Sequence, residues 1–139
     1  MSETTKNNAQ SGFGTILVVE DEALVRMALV ESLSDLGHEV LEAQDGHAAL
    51  DILHGPVHLD LLITDLGLPG MDGRQVAAAG RKRQPDLKVL FLTGYGDNPD
   101  IRRELGPNTQ LAGKPIGFRT LMAQVNSLLN LPARPAAAL

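Results

Sequence analysis

The sequence predicts an α/β fold, in which a five-stranded doubly wound parallel sheet carries helices on both faces. Short apolar runs alternate along the chain with stretches of helical periodicity, as in parallel strands joined by right-handed crossovers. Three of the runs, at residues 15–20, 59–64 and 87–93, are apolar almost throughout, which is typical of strands covered on both faces. The length of 139 residues suits one domain.

The first half of the chain is predicted to supply two strands and two helices. The first strand, TILVVE, is rich in β-branched residues and almost wholly apolar. The helix after it repeats apolar residues on one stripe and meets Gly37, a common helix stop. The second strand is less apolar, and Gly55 and Pro56 end the second helix. These elements cover residues 15–20, 22–36, 39–43 and 46–53.

The second half adds three strands and two helices. The runs LDLLIT and LKVLFLT are predicted buried strands, and Pro85 closes the helix between them. A brief strand then precedes an amphipathic helix whose apolar residues, Phe118 included, are expected to face inward. The segment at 97–105 holds a proline and few apolar residues, so the helix expected there is short or mobile. The other elements cover residues 59–64, 73–83, 87–93, 110–112 and 118–129.

Composition excludes several classes of protein. The absence of cysteine rules out disulfides and thiolate metal sites, and the net charge of −5 argues against a nucleic-acid surface. No apolar run approaches the roughly 20 residues of a membrane span, and the polar N-terminus does not resemble a signal peptide. We therefore expect a cytoplasmic protein with one domain at 15–130, a disordered tail at 1–14 and a C-terminal tail at 131–139.

Chemically active side chains stand where the predicted strands end. Glu20 and Asp21 come at the end of the first strand and Asp65 after the third, while Thr93 ends the fourth and Lys114 follows the fifth. The carboxyl ends of parallel strands form one edge of a doubly wound sheet, and ligands bind outside that edge. Three carboxylates, a hydroxyl and an ammonium are therefore expected to meet in one place.

Such crowding of carboxylates predicts a bound cation. Two like charges about 4 Å apart repel by roughly 4 kcal/mol at an effective dielectric of about 20. Oxygen ligands without histidine or cysteine favour Mg²⁺. Asp65 beside a metal and Lys114 is placed to attack phosphorus, because phosphoryl transfer depends on positioning and charge neutralisation. Each residue alone also fits a structural role, as a helix cap, a turn residue, a strand end or a surface lysine.

Four motifs together resemble the receiver domains of two-component signalling. They are VVEDE at 18–22, DLGLPGMDG at 65–73, FLTGY at 91–95 and GKP at 113–115. The resemblance implies the strand order 2-1-3-4-5 and a monomeric switch, not a turnover enzyme. It further implies that a sensor histidine kinase donates the phosphoryl group from a phosphohistidine. Output would then pass by contact with a downstream protein or by relay to a phosphotransfer protein.

The resemblance also implies a role for each site residue. Asp65 would be the phosphoacceptor, while Thr93 and Lys114 would contact phosphoryl oxygens. The bond between Lys114 and Pro115 would be cis. The implied Mg²⁺ ligands are Glu20 through water, Asp21, Asp65 and the backbone carbonyl of Gly67.

Two departures from the family concern the switch. Leu111 stands where the family usually has an aromatic residue, three residues before Lys114, and the segment after Thr93 weakens the fourth helix. Both features resemble the "FAT GUY" receivers, named for a Phe-Ala-Thr-Gly-X-Tyr motif, although Leu92 replaces the alanine and Tyr95 comes one residue early. That subgroup implies a stand-alone receiver in stress signalling. Thr93, Tyr95 and Leu111 are the switch candidates, and a solvent-facing loop tyrosine is the alternative for Tyr95.

Other classes of protein fit the sequence less well. An aspartyl phosphatase needs a second carboxylate two residues after its nucleophile, where this chain has Gly67. A zinc site at His54 and His58 is broken by the intervening glycine and proline, and all four histidines are expected on the surface. Two alternatives stay open: a receiver-like interaction module that is never phosphorylated, and a receiver excised from a hybrid kinase.

Overall fold

The five predicted strands form one parallel sheet with a doubly wound order. The computed structural model describes residues 13–94 and 106–131. A two-residue antiparallel ladder, Gly67–Leu68 with Met71–Asp72, follows the third strand. The strands of the main sheet are β1 (Thr15–Val19), β2 (Glu39–Ala43), β3 (Leu61–Asp65), β4 (Lys88–Thr93) and β5 (Thr109–Gly113). Their order in the sheet is β2-β1-β3-β4-β5.

Helices cover both faces of this sheet. They are α1 (Ala23–Asp35), α2 (Gly46–Leu53), α3 (Gly73–Arg83) and α4 (Phe118–Leu129). In the described residues, α1 and α4 enclose one apolar cluster, in which Leu33 and Val125 are fully buried, while α2 and α3 enclose a second cluster around Val76 and Phe91. The strands contribute apolar side chains to both clusters, so the prediction of a sheet buried on both faces is confirmed.

Local chemistry explains where these helices begin and end. Gly37 follows α1 with φ +103°, a left-handed conformation that L side chains rarely adopt. The Asp45 side chain accepts a hydrogen bond from the backbone N–H of Ala48 at 2.8 Å and so caps α2. Asp72 caps α3 in the same way and forms a reciprocal capping box with Gln75.

Three sequence-based expectations are wrong in detail. Strand β3 begins at Leu61, because the backbone N–H and C=O of Leu59 bond the side-chain amide of Gln84 at 2.9 and 2.7 Å. Phe118 does not face inward but is 50% exposed at the rim of a groove between α1 and α4. His38 is buried, because its ring packs edge-on against Phe13 and accepts a hydrogen bond from the Gly14 N–H at 3.1 Å.

Some expectations fall on residues outside the described ranges. The segment at 97–105, Tyr95 and most of both predicted tails belong to this group, so the short or mobile fourth helix and the tails stay predictions. Among the described residues, no helix is both long and apolar enough to cross a membrane.

Candidate functional site

The carboxyl edge of the sheet brings the predicted site residues together. Glu20 and Asp21 follow β1, Asp65 ends β3, Thr93 ends β4, and Lys114 follows β5. The parallel register carries all of these strand ends to one side, with the Lys114 N–H donating to the Thr93 carbonyl at 2.8 Å. The peptide bond between Lys114 and Pro115 is cis, as predicted.

Three carboxylates form the acidic part of this site. Glu20, Asp21 and Asp65 each offer an oxygen, and these oxygens all lie within 4.8 Å of one another. Glu20 and Asp65 are buried, at 0% and 3% exposure, whereas Asp21 is exposed to solvent. Negative charge is therefore concentrated at the base of the site and reaches the surface through Asp21.

Lys114 supplies the positive charge that opposes this cluster. Its Nζ lies 3.0 Å from Oε1 of Glu20 and 3.1 Å from Oδ1 of Asp65. Partial burial alone would lower the pKa of Lys114, but the contacts with the two carboxylates outweigh it and raise that pKa. The amine is therefore charged and holds the two buried carboxylates side by side.

One ammonium does not fully offset the cost of burying Asp65. Burial, together with the nearby Glu20, raises the pKa of Asp65 to about 7, even though the hydrogen bond and the charge of Lys114 act in the opposite direction. Near neutral pH the carboxyl group therefore titrates between a charged and a neutral form. A second cation at the site would favour the charged form.

Two loops fix the acidic groups in place. The Glu20 N–H donates to the Ala43 carbonyl at 3.1 Å, and Oε2 of Glu20 accepts from the Glu22 N–H at 2.8 Å. Beyond Asp65 the chain returns so closely that a Cβ at Gly73 would lie 2.0 Å from the Asp65 carbonyl oxygen. Only glycine fits there without displacing the backbone of Asp65.

A cavity of about 590 Å³ opens above Asp65, and its lining includes Thr93, Gly67, Lys114 and Asp72. Thr93 is buried, at 6% exposure, so its side chain is held at the wall of the cavity. Asp72 also lines the cavity, although the sequence did not indicate it as a site residue. Its capping box with Gln75, an Asp-x-x-Gln pattern, is the signal that could have placed it at the start of a helix beside the site.

The spacing of the carboxylates suits a small hard cation. Mg²⁺ holds oxygen ligands at about 2.1 Å, so opposite ligands of its octahedral shell lie about 4.2 Å apart. The observed limit of 4.8 Å is close to that span, and the cluster contains only oxygen donors. The residues present therefore fit Mg²⁺.

The switch candidates differ in what the structure says of them. Thr93 lies at the cavity, and Leu111 is buried in the apolar cluster under α2 and α3, at 2% exposure. Leu111 is the cross-strand neighbour of Phe91. Tyr95 lies outside the described residues, so its proposed part in the switch stays a prediction.

The sheet order and the acidic edge define a doubly wound domain with a pocket suited to a cation. The family model for the response regulator receiver domain matches residues 16–126. The chain belongs to this family, whose members are signalling switches of two-component systems.

Individual relatives agree with this assignment. The chain is 36% identical over 124 residues to the sensor kinase CckA of Brucella abortus, covering 86% of this chain and 13% of that kinase. It is 32% identical over 117 residues to the response regulator receiver protein CpdR of the same species, covering 82% of this chain and 95% of CpdR. The chain spans at most 50% of the probable transcriptional regulators named ycf27 that it also matches.

Solved structures show the same fold. The response regulator protein TrrA of Thermotoga maritima, crystallised with Mg²⁺ and BeF, is 33% identical and superimposes with a TM-score of 0.68. The match covers 82% of this chain and 97% of TrrA.

Proposed function

We propose that this chain is a phosphorylation-dependent switch that accepts a phosphoryl group on Asp65 from the phosphohistidine of a sensor histidine kinase. The observation that carries the proposal is the position of Asp65, buried between Lys114 and a carboxylate cluster at the floor of an open cavity. We further propose that the chain works as a monomer in the cytoplasm, and that it signals by protein contact or phosphorelay, in stress signalling.

The transfer is a direct displacement at phosphorus. A carboxylate oxygen of Asp65 forms a bond to phosphorus while the bond from phosphorus to the donor's imidazole nitrogen breaks, and the imidazole leaves with the electron pair. Lys114 pairs with one phosphoryl oxygen, and the Thr93 hydroxyl donates to another. The product is an acyl phosphate on Asp65.

A magnesium ion, when bound, would neutralise the carboxylates and the phosphoryl oxygens during this transfer. Asp21 and Asp65 would hold it directly, the Gly67 carbonyl would complete the protein ligands, and Glu20 would act through water. The raised pKa of Asp65 supports this assignment, because the nucleophile must be ionised and a cation favours the ionised form.

The signal would be a rearrangement of residues 93–112. Phosphorylation changes the population of conformations only if one of them binds the phosphoryl group better than the other. Thr93 supports this proposal, because it is the cavity residue from which that segment starts.

The deciding experiment compares Asp65→Asn with Asp51→Asn, an exposed aspartate on α2. Purified kinases that carry a radiolabelled phosphoryl group are incubated with MgCl₂ and with the parent chain or each variant. The label transferred to the chain is then tested for release by hydroxylamine, which cleaves acyl phosphates. We expect hydroxylamine-sensitive label on the parent and on Asp51→Asn only. Label of equal amount on Asp65→Asn would contradict the proposal.

An interaction module that is never phosphorylated is the second candidate. Leu111 favours this candidate, because it is aliphatic and buried in the core. The position therefore supplies no aromatic ring that could move on phosphorylation. Beryllium fluoride with Mg²⁺, a mimic of the phosphoryl group, separates the two candidates. Widespread amide shifts around Thr93 support the switch, and an unchanged spectrum supports the interaction module.

A further inference from the structure

Arg26, near the start of α1, links the acidic loop formed by residues 20–22 to strand β2. Its Nη1 donates to the backbone oxygen of Glu20 at 2.7 Å, and its Nε donates to Oε1 of Glu42 at 3.0 Å. The Arg26 side chain is only 16% exposed, whereas that of Glu42 is half exposed. The guanidinium therefore fixes a backbone carbonyl at the site without itself reaching the carboxylate cluster.

The hydrogen bonds of this loop hold both peptide planes that flank Asp21. Arg26 holds the plane before Asp21 through the Glu20 oxygen, and the Glu20 carboxylate holds the plane after it through the Glu22 N–H. Because peptide units are planar, two fixed planes determine the direction in which the Asp21 side chain leaves the backbone. Asp21 is exposed, so burial in the core does not set this direction.

We propose that Arg26 is a positioning residue, which aims the Asp21 carboxylate at the cation by holding the Glu20 carbonyl. This inference rests on the proposed function, in which Asp21 is a direct ligand. The Glu42 carboxylate accepts the second hydrogen bond of the Arg26 guanidinium and so holds it in place. Strand β2 therefore helps to shape a site to which it gives no proposed ligand.

Charge and positioning predict opposite effects when Arg26 is replaced. A guanidinium repels a nearby cation, so loss of its charge alone would tighten Mg²⁺ binding. Loss of positioning would weaken Mg²⁺ binding, since replacing a residue that orients a metal ligand typically lowers metal affinity by roughly 10- to 100-fold. The sign of the change therefore separates the two roles.

Arg81 provides a matched control. Its guanidinium also holds backbone carbonyls, those of Leu87 at 3.1 Å and Asn108 at 3.2 Å, but at the amino ends of β4 and β5. Arg81→Gln thus removes the same kind of contact at the opposite edge of the sheet.

The experiment measures Mg²⁺ affinity by calorimetry and amide hydrogen exchange without metal, on the full chain and on Arg26→Gln, Glu42→Gln and Arg81→Gln. For Arg26→Gln we expect Mg²⁺ binding weaker by roughly 10- to 100-fold and faster exchange of the Glu22 amide. Glu42→Gln should show smaller changes in the same directions. Arg81→Gln should match the parent in Mg²⁺ affinity and in exchange of the Glu22 amide. If Arg26→Gln does not fold, exchange of the Glu22 amide in Glu42→Gln decides, because loss of the Glu42 charge alone would also weaken Mg²⁺ binding but would leave that exchange as in the parent.

The outcomes distinguish this inference from the proposed function. A parent chain that binds Mg²⁺ and an Arg26→Gln variant that binds it as tightly or more tightly would overturn the inference and leave the proposed function standing. A parent chain that binds no Mg²⁺ and takes up no phosphoryl group would overturn the proposed function and, with it, the inference.

Discussion

Single side chains set the charge balance of the pocket. Lys114 lies within 3.1 Å of both Glu20 and Asp65, so one ammonium faces two buried carboxylates, with Asp21 as a third negative group nearby. The sequence predicted these residues because each follows a recognisable strand. It did not predict Arg26, because a helix arginine shows no sign in the sequence that it bonds a carbonyl six residues earlier.

Replacing Asp65 by asparagine should stabilise the metal-free protein above neutral pH. The folded-state pKa of Asp65 is raised to about 7 from its ordinary 3.8, so this group's favourable contribution is present at acidic pH and lost as pH rises through about 7. Near pH 8 we expect Asp65→Asn to raise the free energy of unfolding by about 1 to 2 kcal/mol, measured by urea denaturation.

Magnesium should reverse that order. The parent gains stability as Mg²⁺ binds the folded state, whereas Asp65→Asn has lost a ligand and gains less. Identical denaturation curves for both proteins, with and without MgCl₂, would count against a clustered site.

Side-chain contacts in the loops help to decide where helices and strands begin. Helix α3 begins at Gly73, where the sequence predicted it. Strand β3 begins later than predicted because the Gln84 side-chain amide bonds the backbone groups of Leu59. Such a long-range side-chain contact leaves no periodic signal. The periodic pattern also predicted that Phe118 faces inward, but Phe118 is the first residue of α4 and lies exposed at the rim of the groove between α1 and α4.

Gly73→Ala should damage the site through the backbone. The new Cβ would lie 2.0 Å from the Asp65 carbonyl oxygen, so the start of α3 or the end of β3 must move. We expect a loss of about 1 to 3 kcal/mol in the free energy of unfolding, together with weaker Mg²⁺ binding. Gly117→Ala is the control, because a Cβ there meets no atom within 4 Å and should change neither quantity appreciably.

At the scale of the whole molecule, both edges of the sheet carry buried titratable groups. Asp65 lies at the carboxyl edge, and His38 lies near the amino end of β2 with Asp60 close by. The five strands and the burial of both sheet faces followed from alternating apolar runs, whereas the strand order came from the resemblance to receiver domains. The burial of His38 followed from neither, because its partners Phe13 and Gly14 lie in a stretch that resembled a tail.

His38 should make the protein less stable in mild acid. Burial lowers the pKa of His38 from 6.5, while the Asp60 charge acts in the opposite direction. Since the unfolded chain then binds the proton more readily, stability is full above about pH 6.5 and falls as pH drops below it. Protonation of Nδ1 would also remove the acceptor of the Gly14 N–H.

The test uses the Asp65→Asn background. In the parent, protonation of Asp65 favours the folded state as pH falls, which would oppose the effect of His38 over part of the same pH range. We expect the loss of stability between about pH 7 and pH 5 to shrink when His38 is replaced by asparagine. A pH profile that is the same with and without His38 would rule this explanation out.

The tether between Lys114 and Glu20 spans 94 positions of the chain. The lysine lies between β5 and α4, so during synthesis the carboxylates emerge long before their counter-charge. A partly translated chain that lacks β5 therefore has no finished pocket, and the counter-charge arrives only when β5 has joined the sheet.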